Sequence, residues 1–371
     1  MAHAAHGLDE NTAWAALASL RLPVDPREVI DVFGGPVAMF EEPLEGLRKK
    51  LPWTANQVER VARAKPLELV RDLPTFLEQG GRLVTYGDPA YPPLLKEIAR
   101  PPAALWCRGD PAALRDPLIA VVGSRRPTPY GLRVARTLAA DLAAAGFGVV
   151  SGGAYGVDAA AHTGTLEAGG RSVAVLGTGI DRDYPAAHGP LFAKLAERGA
   201  CVTEFPMGTA PRPANFPIRN RIISGLARGV VVVEAGARSG ALITARFAME
   251  QNREVFAIPG ELFNPLSAGP HALIRRGAVL VTGVDDVLQE VTALFAPRET
   301  RSSSGPRADF PPVDLPEDLG RVLSQLGHEP TAVDSVVENS GLSPGTVLEA
   351  LTQLELMNLV EQLPGQRYVK R

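Results

Sequence analysis

The chain has 371 residues, enough for two or three domains around a sizeable core, and its 45% hydrophobic and 21% charged content excludes the disordered and fibrous classes. With 38 Lys and Arg against 41 Asp and Glu, the net charge of -3 excludes a general basic coat for nucleic acid, so any such site must be a local patch. The two cysteines, Cys107 and Cys201, are too few for a disulfide framework, and no apolar run reaches membrane-spanning length, which predicts a cytoplasmic protein with no membrane partner.

In chain order, residues 12–20, 26–33, 36–41 and 55–64 read as short helices separated by Pro and Gly, giving a small helical domain over 1–78 of SAM or helix-hairpin-helix type. It carries no GxG hairpin turn, and Lys49 and Lys50 form an isolated basic pair, so a packing role is favoured there. Two strand-like pieces, 82–86 and 104–108, form an added edge to a main sheet. From 118 to 290 strands at 118–122, 148–151, 172–176, 200–204, 229–234, 254–258 and 278–281 alternate with helices, notably 130–145, 157–168 and 240–251. That alternation specifies an α/β fold, an extended Rossmann-like doubly wound parallel sheet, over 79–295. Residues 296–312, rich in Pro, Ser and Gly, read as a linker, and 313–371 as three helices followed by two strands around a Pro-Gly turn, a winged helix.

Local charge departs from global charge in one stretch. Between 212 and 253 stand Arg212, Arg219, Arg221, Arg228, Arg238, Arg246 and Arg253 against Glu234 and Glu250. The β-branched run 229–233 suits a central strand buried on both faces, and the turn GARSG at 236–240, with Arg238 and Ser239, follows it. Ligands bind beyond the carboxyl ends of such strands, so arginine and small residues clustered there predict a phosphate-bearing ligand.

Three consecutive strands end in small-residue loops: Gly123-Ser124-Arg125-Arg126, Gly152-Gly153 and Gly177-Thr178-Gly179. Exposed N–H groups in such loops make anion cradles, and repetition strengthens the reading. The dinucleotide fingerprint GxGxxG and a Walker lysine motif are both absent, so neither dinucleotide binding nor P-loop hydrolysis is supported. Asp158 and His162 sit one helical turn apart without a third ligand nearby in sequence, which favours a helix-start Asp and a structural His over a metal site. Phe216 beside Asn215, Asn220, Arg219 and Arg221 offers a stacking ring among amides and guanidinium groups, suited to single-stranded nucleic acid. Tyr184 and His188 carry a weaker signal of the same kind. Glu204 and Glu234 at strand ends leave open a different class, a nucleotide-binding hydrolase using the same cleft.

The segments IAVVGSRRPTPYG, SGGAYGVDAAAHTGTL, VAVLGTGIDRDYP, TEFPMGT, FPIRNRIISGLARGVVVVEAGARSGALITA and VFAIPG stand in order, and together they resemble the DprA/Smf family of DNA-processing proteins over about 80–290. The resemblance implies a mediator rather than an enzyme, with no cofactor and no metal. Such proteins bind and guard incoming single-stranded DNA during natural transformation and load the RecA recombinase onto it, with single-strand-binding protein as a further partner. It implies a phosphate pocket built from Gly123, Ser124 and Arg125, the Gly152-Gly153 and Gly177-Thr178-Gly179 loops, Phe216, Arg219, Asn220 and Arg221, and a homodimer formed around 271–281. The chain departs from the family pattern in four places: Ala186, Ala187 and His188 follow Tyr184-Pro185 where relatives carry Asn, often with a nearby Lys, for which Arg182 stands here; SGGA at 151–154 replaces the SG-L-A pattern; His271 stands where Asn is common; and the helical amino-terminal module is degenerate.

Overall fold

The computed structural model describes residues 8–295, 316–327, 331–356, 359–363 and 367–370. The linker read at 296–312 and the Pro364-Gly365 turn of the wing lie outside the described residues. The chain divides into two compact units, 1–296 and 297–371.

The first unit opens with helices α1 (Glu10–Ser19), α2 (Pro26–Phe33), α3 (Pro36–Glu41), α4 (Leu44–Lys50), α5 (Ala55–Ala62), α6 (Pro66–Leu69) and α7 (Leu73–Glu78). The sequence marks their starts: Asp9, Asp25 and Thr54 cap α1, α2 and α5 through their side chains, and Thr54 with Gln57 completes a capping box. These helices do not close a core of their own. Trp14, Leu17, Met39, Leu47 and Val58 belong to the same buried cluster as Tyr86, Leu105, Val202 and Ile222 of the region that follows. Trp14 stands 6.0 Å from Tyr86, which packs edge-on against Tyr91 at 5.3 Å.

Next come β1 (Arg82–Thr85), α8 (Pro93–Lys96), β2 (Ala104–Gly109), β3 (Leu118–Val122), α9 (Pro129–Ala144), β4 (Gly148–Ser151), α10 (Val157–Glu167), β5 (Ser172–Val175), α11 (Gly189–Arg198), β6 (Ala200–Thr203), α12 (Asn215–Leu226), β7 (Gly229–Val232), α13 (Gly240–Glu250), β8 (Glu254–Ala257), α14 (Ala268–Ile274), β9 (Val279–Leu280) and α15 (Val284–Phe295). The strands form one nine-stranded sheet in the order β1-β2-β6-β5-β4-β3-β7-β8-β9. From β6 to β9 every pairing is parallel, while β1 and β2 add an antiparallel edge. Strands β3 to β7 are buried along their whole length, as continuous apolar runs covered by helices on both faces require. The doubly wound fold expected from the alternation is therefore the observed one.

The order holds the key to the site. The chain runs outward from β3 through β4 and β5 to β6, then returns to lay β7 on the other side of β3. Helices leaving β3 and β7 diverge to opposite faces, which opens a crevice beyond the carboxyl ends of this pair.

The second unit contains α16 (Glu317–Ser324), β10 (Thr331–Ala332), α17 (Val333–Ser340), α18 (Pro344–Leu356), β11 (Val360–Leu363) and β12 (Arg367–Lys370). Its antiparallel sheet runs β10-β12-β11, and Val322, Val336, Val347, Leu351 and Tyr368 share its core. This is a winged helix.

Candidate nucleic-acid interface

At the β3/β7 crevice lies a cleft of about 800 Å³. The β3–α9 loop brings Gly123, Ser124 and Arg125; α12 brings Phe216, Arg219 and Asn220; the β7–α13 loop brings Arg238 and Ser239. Gly123 is needed because a Cβ there would stand 2.7 Å from Val157 Cγ2 and 3.0 Å from the Glu234 carbonyl. Arg125, exposed, lies 5.4 Å over the Phe216 ring, and the Tyr184 ring stands 5.5 Å from Phe216. Gly177 makes room for that ring, since a Cβ there would meet Phe216 Cδ1 at 2.7 Å.

Arg219 is the buried cation of the site. Its Nη1 donates to the Gly152 carbonyl at 2.8 Å, and burial pulls its guanidinium down to about 10, with Asp158 opposing the fall and Arg125 adding to it. It stays charged at neutral pH. Asp158 is the one carboxylate among the residues lining the cleft, and it accepts from the Gly152 and Ala154 amides at 3.1 and 3.3 Å. Burial raises its pKa, against the pull of Arg219. Arg125, Arg219 and Arg238 thus face a single acid that the backbone already holds.

Helix termini sharpen the asymmetry. The amino terminus of α9 is filled from inside: Glu234 accepts from Thr128 N at 2.8 Å and Thr128 Oγ1 at 2.6 Å, and Thr128 in turn caps Gly131. No such acid closes α13, capped by Ser239, and Gly240 and Ala241 of its first turn line the cleft. That end is free to receive an anion.

The other residues read from the sequence stand beside or behind the cleft, and Asn220 of its wall is held by a neighbouring helix. Arg126 is exposed beside the cleft, its N–H on Ser124 Oγ at 3.1 Å. Gly152 and Gly153 are buried beneath Arg219, and the Gly152 amide is spent on Asp158, so this loop is an internal support rather than an open cradle. Gly177, Thr178 and Gly179 are likewise buried, with Thr178 Oγ1 donating to the Arg182 carbonyl at 2.9 Å and Gly179 N to Thr209 O at 3.0 Å. Asn215 is buried and donates to the Gly177 carbonyl at 3.0 Å, which fixes the start of α12 under Phe216. Asn220 Nδ2 reaches the Gly240 carbonyl at 3.3 Å and ties α12 to α13. His188 Nδ1 donates to Gly153 O at 3.0 Å, with its ring 4.7 Å from exposed Tyr155, near the cleft but outside its wall. Arg221 faces a different cavity, paired with Glu204 at 2.5 Å.

Tyr184, which carries the weaker signal in the sequence, lines the cleft, as do Pro211, Pro213 and Ile243, which the sequence reading does not single out. The proline-rich run 209–213 before the arginine-bearing helix was the available signal. His162 is structural: Ser172 Oγ donates to Val149 O at 2.8 Å, so His162 Nδ1 must donate to Ser172 Oγ at 2.8 Å, leaving a buried Nε2 without a partner. Burial brings its pKa down to about 3. Among the described residues no group of three His, Cys, Asp or Glu is arranged to hold a metal ion, and no helix is long and apolar enough to cross a membrane.

The family model of DNA recombination-mediator protein A matches residues 82–292, and that of the DprA winged helix domain matches 306–366. The chain belongs to this family. Protein Smf of Escherichia coli is 42% identical over 315 residues, covering 84% of this chain and 83% of that protein. DNA processing protein DprA of Bacillus subtilis is 38% identical, with 64% and 82% covered. The X-ray structure of DprA from Streptococcus pneumoniae superposes with a TM-score of 0.65 at 35% identity, over 75% of this chain and 97% of that one. A DNA processing protein A structure from Helicobacter pylori, described for its single-stranded DNA binding mode, gives 0.52 at 28% identity, over 57% and 96%. The crevice between β3 and β7 therefore belongs to a DprA fold.

Proposed function

We propose that this chain is a single-stranded DNA-binding recombination mediator of natural transformation, which guards incoming DNA and loads RecA, acting without catalysis in the cytoplasm. The strand is held by its phosphates at the β3/β7 crevice, with bases stacked on Phe216 and Tyr184. The observation that carries this reading is the cleft itself: Arg125 over Phe216, with Arg219 and Arg238 facing one internally satisfied acid. The H. pylori relative, whose structure is described for single-stranded DNA binding, supports the ligand class. Backbone contact of this kind gives weak sequence preference and steep salt dependence.

A second copy is proposed to pair along 271–281. In support, β9 is an edge strand with Leu280 45% exposed, and Leu262 and Phe263 in the preceding loop are 77% and 94% exposed. RecA and single-strand-binding protein are the partners proposed with it. The hydrolase reading has less support, since both Glu234 oxygens bind Thr128 and Glu204 lines another cavity.

The test is fluorescence anisotropy of labelled oligothymidine against wild type, Arg125→Ala and Arg238→Ala across a salt series, with duplex DNA and mononucleotide as competitors. Binding that strengthens as salt falls and weakens in both variants is expected. Full competition by mononucleotide, with the variants binding as wild type, overturns the reading.

A further inference from the structure

A second cavity, of about 340 Å³, lies where the N-terminal helices meet the sheet. It adjoins the cleft: Pro217 of α12 lines both, and the neighbouring Ile218, 44% exposed, lines this one. Its charge balance matches that of the cleft. Glu204 is matched by Arg221, which leaves Arg21 and Arg100 in excess, both exposed, and Arg100 makes no ion pair among the described residues. Arg21 sits in left-handed backbone at φ 52°, its guanidinium 4.9 Å from the Phe205 ring centroid and its Nη2 donating to Asn215 Oδ1 at 2.9 Å. That hydrogen bond reaches the residue immediately before Phe216. Phe247 contributes a further aromatic wall. An arginine laid on a phenylalanine thus occurs twice, once on each side of Pro217.

We infer that the junction cavity is a second station on the single-strand path, taking the nucleotides that follow those in the cleft. The inference rests on the cleft being a single-strand site. The strand crosses Pro217 and Ile218, a phosphate meets Arg100, and a base stacks on the Arg21 guanidinium plane, a surface that unpaired bases use as readily as an aromatic ring. Continuity through Pro217 and the surplus of two cations favour a nucleic-acid strand over an apolar peptide as occupant. The N-terminal helical region, which the sequence offers as a packing appendage, thereby supplies Arg21 to the site.

The experiment is anisotropy on full-length protein with oligothymidines of increasing length, comparing wild type with Arg100→Glu, Ile218→Glu and Arg125→Ala. Wild type is expected to gain affinity once the oligonucleotide outgrows the cleft. Arg100→Glu and Ile218→Glu should lose that gain, about tenfold, while keeping wild-type affinity for the shortest oligonucleotide that binds. Arg100→Glu should also lower the salt slope for long oligonucleotides by about one. Photo-crosslinking of a long, 4-thiothymidine-bearing strand should recover peptides containing Arg21 or Phe247. An unchanged length increment in both variants, with no such crosslink, overturns the inference while leaving the cleft intact. Short-oligonucleotide binding indifferent to Arg125→Ala would instead overturn the cleft reading, and this one with it.

Discussion

Arg219 and Arg221 are two positions apart on α12 and end in different cavities, because about 200° of helical rotation separates them. Arg219 turns inward over the Gly152 carbonyl, and Arg221 turns to Glu204. In the proposed function, Arg125 and Phe216 at the cleft mouth divide the work between phosphate and base. Arg125→Ala should weaken oligothymidine binding and lower the slope of log affinity against log salt by about one, read from anisotropy titrations. Phe216→Leu keeps an apolar side chain over Gly177 but removes the stacking face. It should cost about 1–3 kcal/mol of binding, with the melting temperature nearly unchanged. Away from the ligand, His162 makes acid stability measurable. Its pKa falls from 6.5 in the unfolded chain to about 3 in the native one, so between those values the unfolded state binds the extra proton. Its contribution is therefore complete above about 6.5 and is lost as pH falls toward 3. Thermal melts across that window should show a shallower slope for His162→Gln than for wild type.

At the level of elements, the cleft depends on which helix ends are already satisfied. Glu234 lies one residue past the last apolar position of its strand run, where a catalytic base is a natural reading, yet it holds Thr128 at the start of α9. Glu234→Gln should lower stability by about 1–2 kcal/mol in urea unfolding, through weaker hydrogen bonds to a neutral acceptor, and leave oligothymidine affinity intact. A loss of nucleotide turnover in that variant would revive the hydrolase reading. The glycine loops divide in the same way. The loop after β3 faces the cleft, whereas those after β4 and β5 hold Arg219 and Asn215 from behind.

For the molecule as a whole, the two compact units allow a direct cut. A chain ending at residue 296 should fold and bind oligothymidine within about threefold of the full protein, since every cleft residue lies in the first unit. A larger loss in anisotropy would assign part of the binding to the winged helix. That domain's exposed α18 surface carries Glu349 and Glu355 with no cation on the same helix, so a duplex-binding contribution from α18 is not expected.

Strand positions, the winged helix and the arginine-rich stretch were legible in the sequence, because each follows from local periodicity or composition over a few residues, whereas the short helices α4, α6 and α7 were not. The position of the crevice after 229–233 was legible too, since parallel strands fix where loops emerge. The direction in which each side chain points within that edge was not. Arg219 and Arg221, Glu204 and Glu234, and the three glycine loops look alike as neighbours along a chain, and only strand order and helix rotation sort them into cleft, support and second cavity. The sharing of one core by the N-terminal helices and the sheet was equally hidden, because the partners of Trp14 and Arg21 lie far along the chain at Tyr86 and Asn215. Local rules determined the elements; long-range packing decided which charges were left free to meet a ligand.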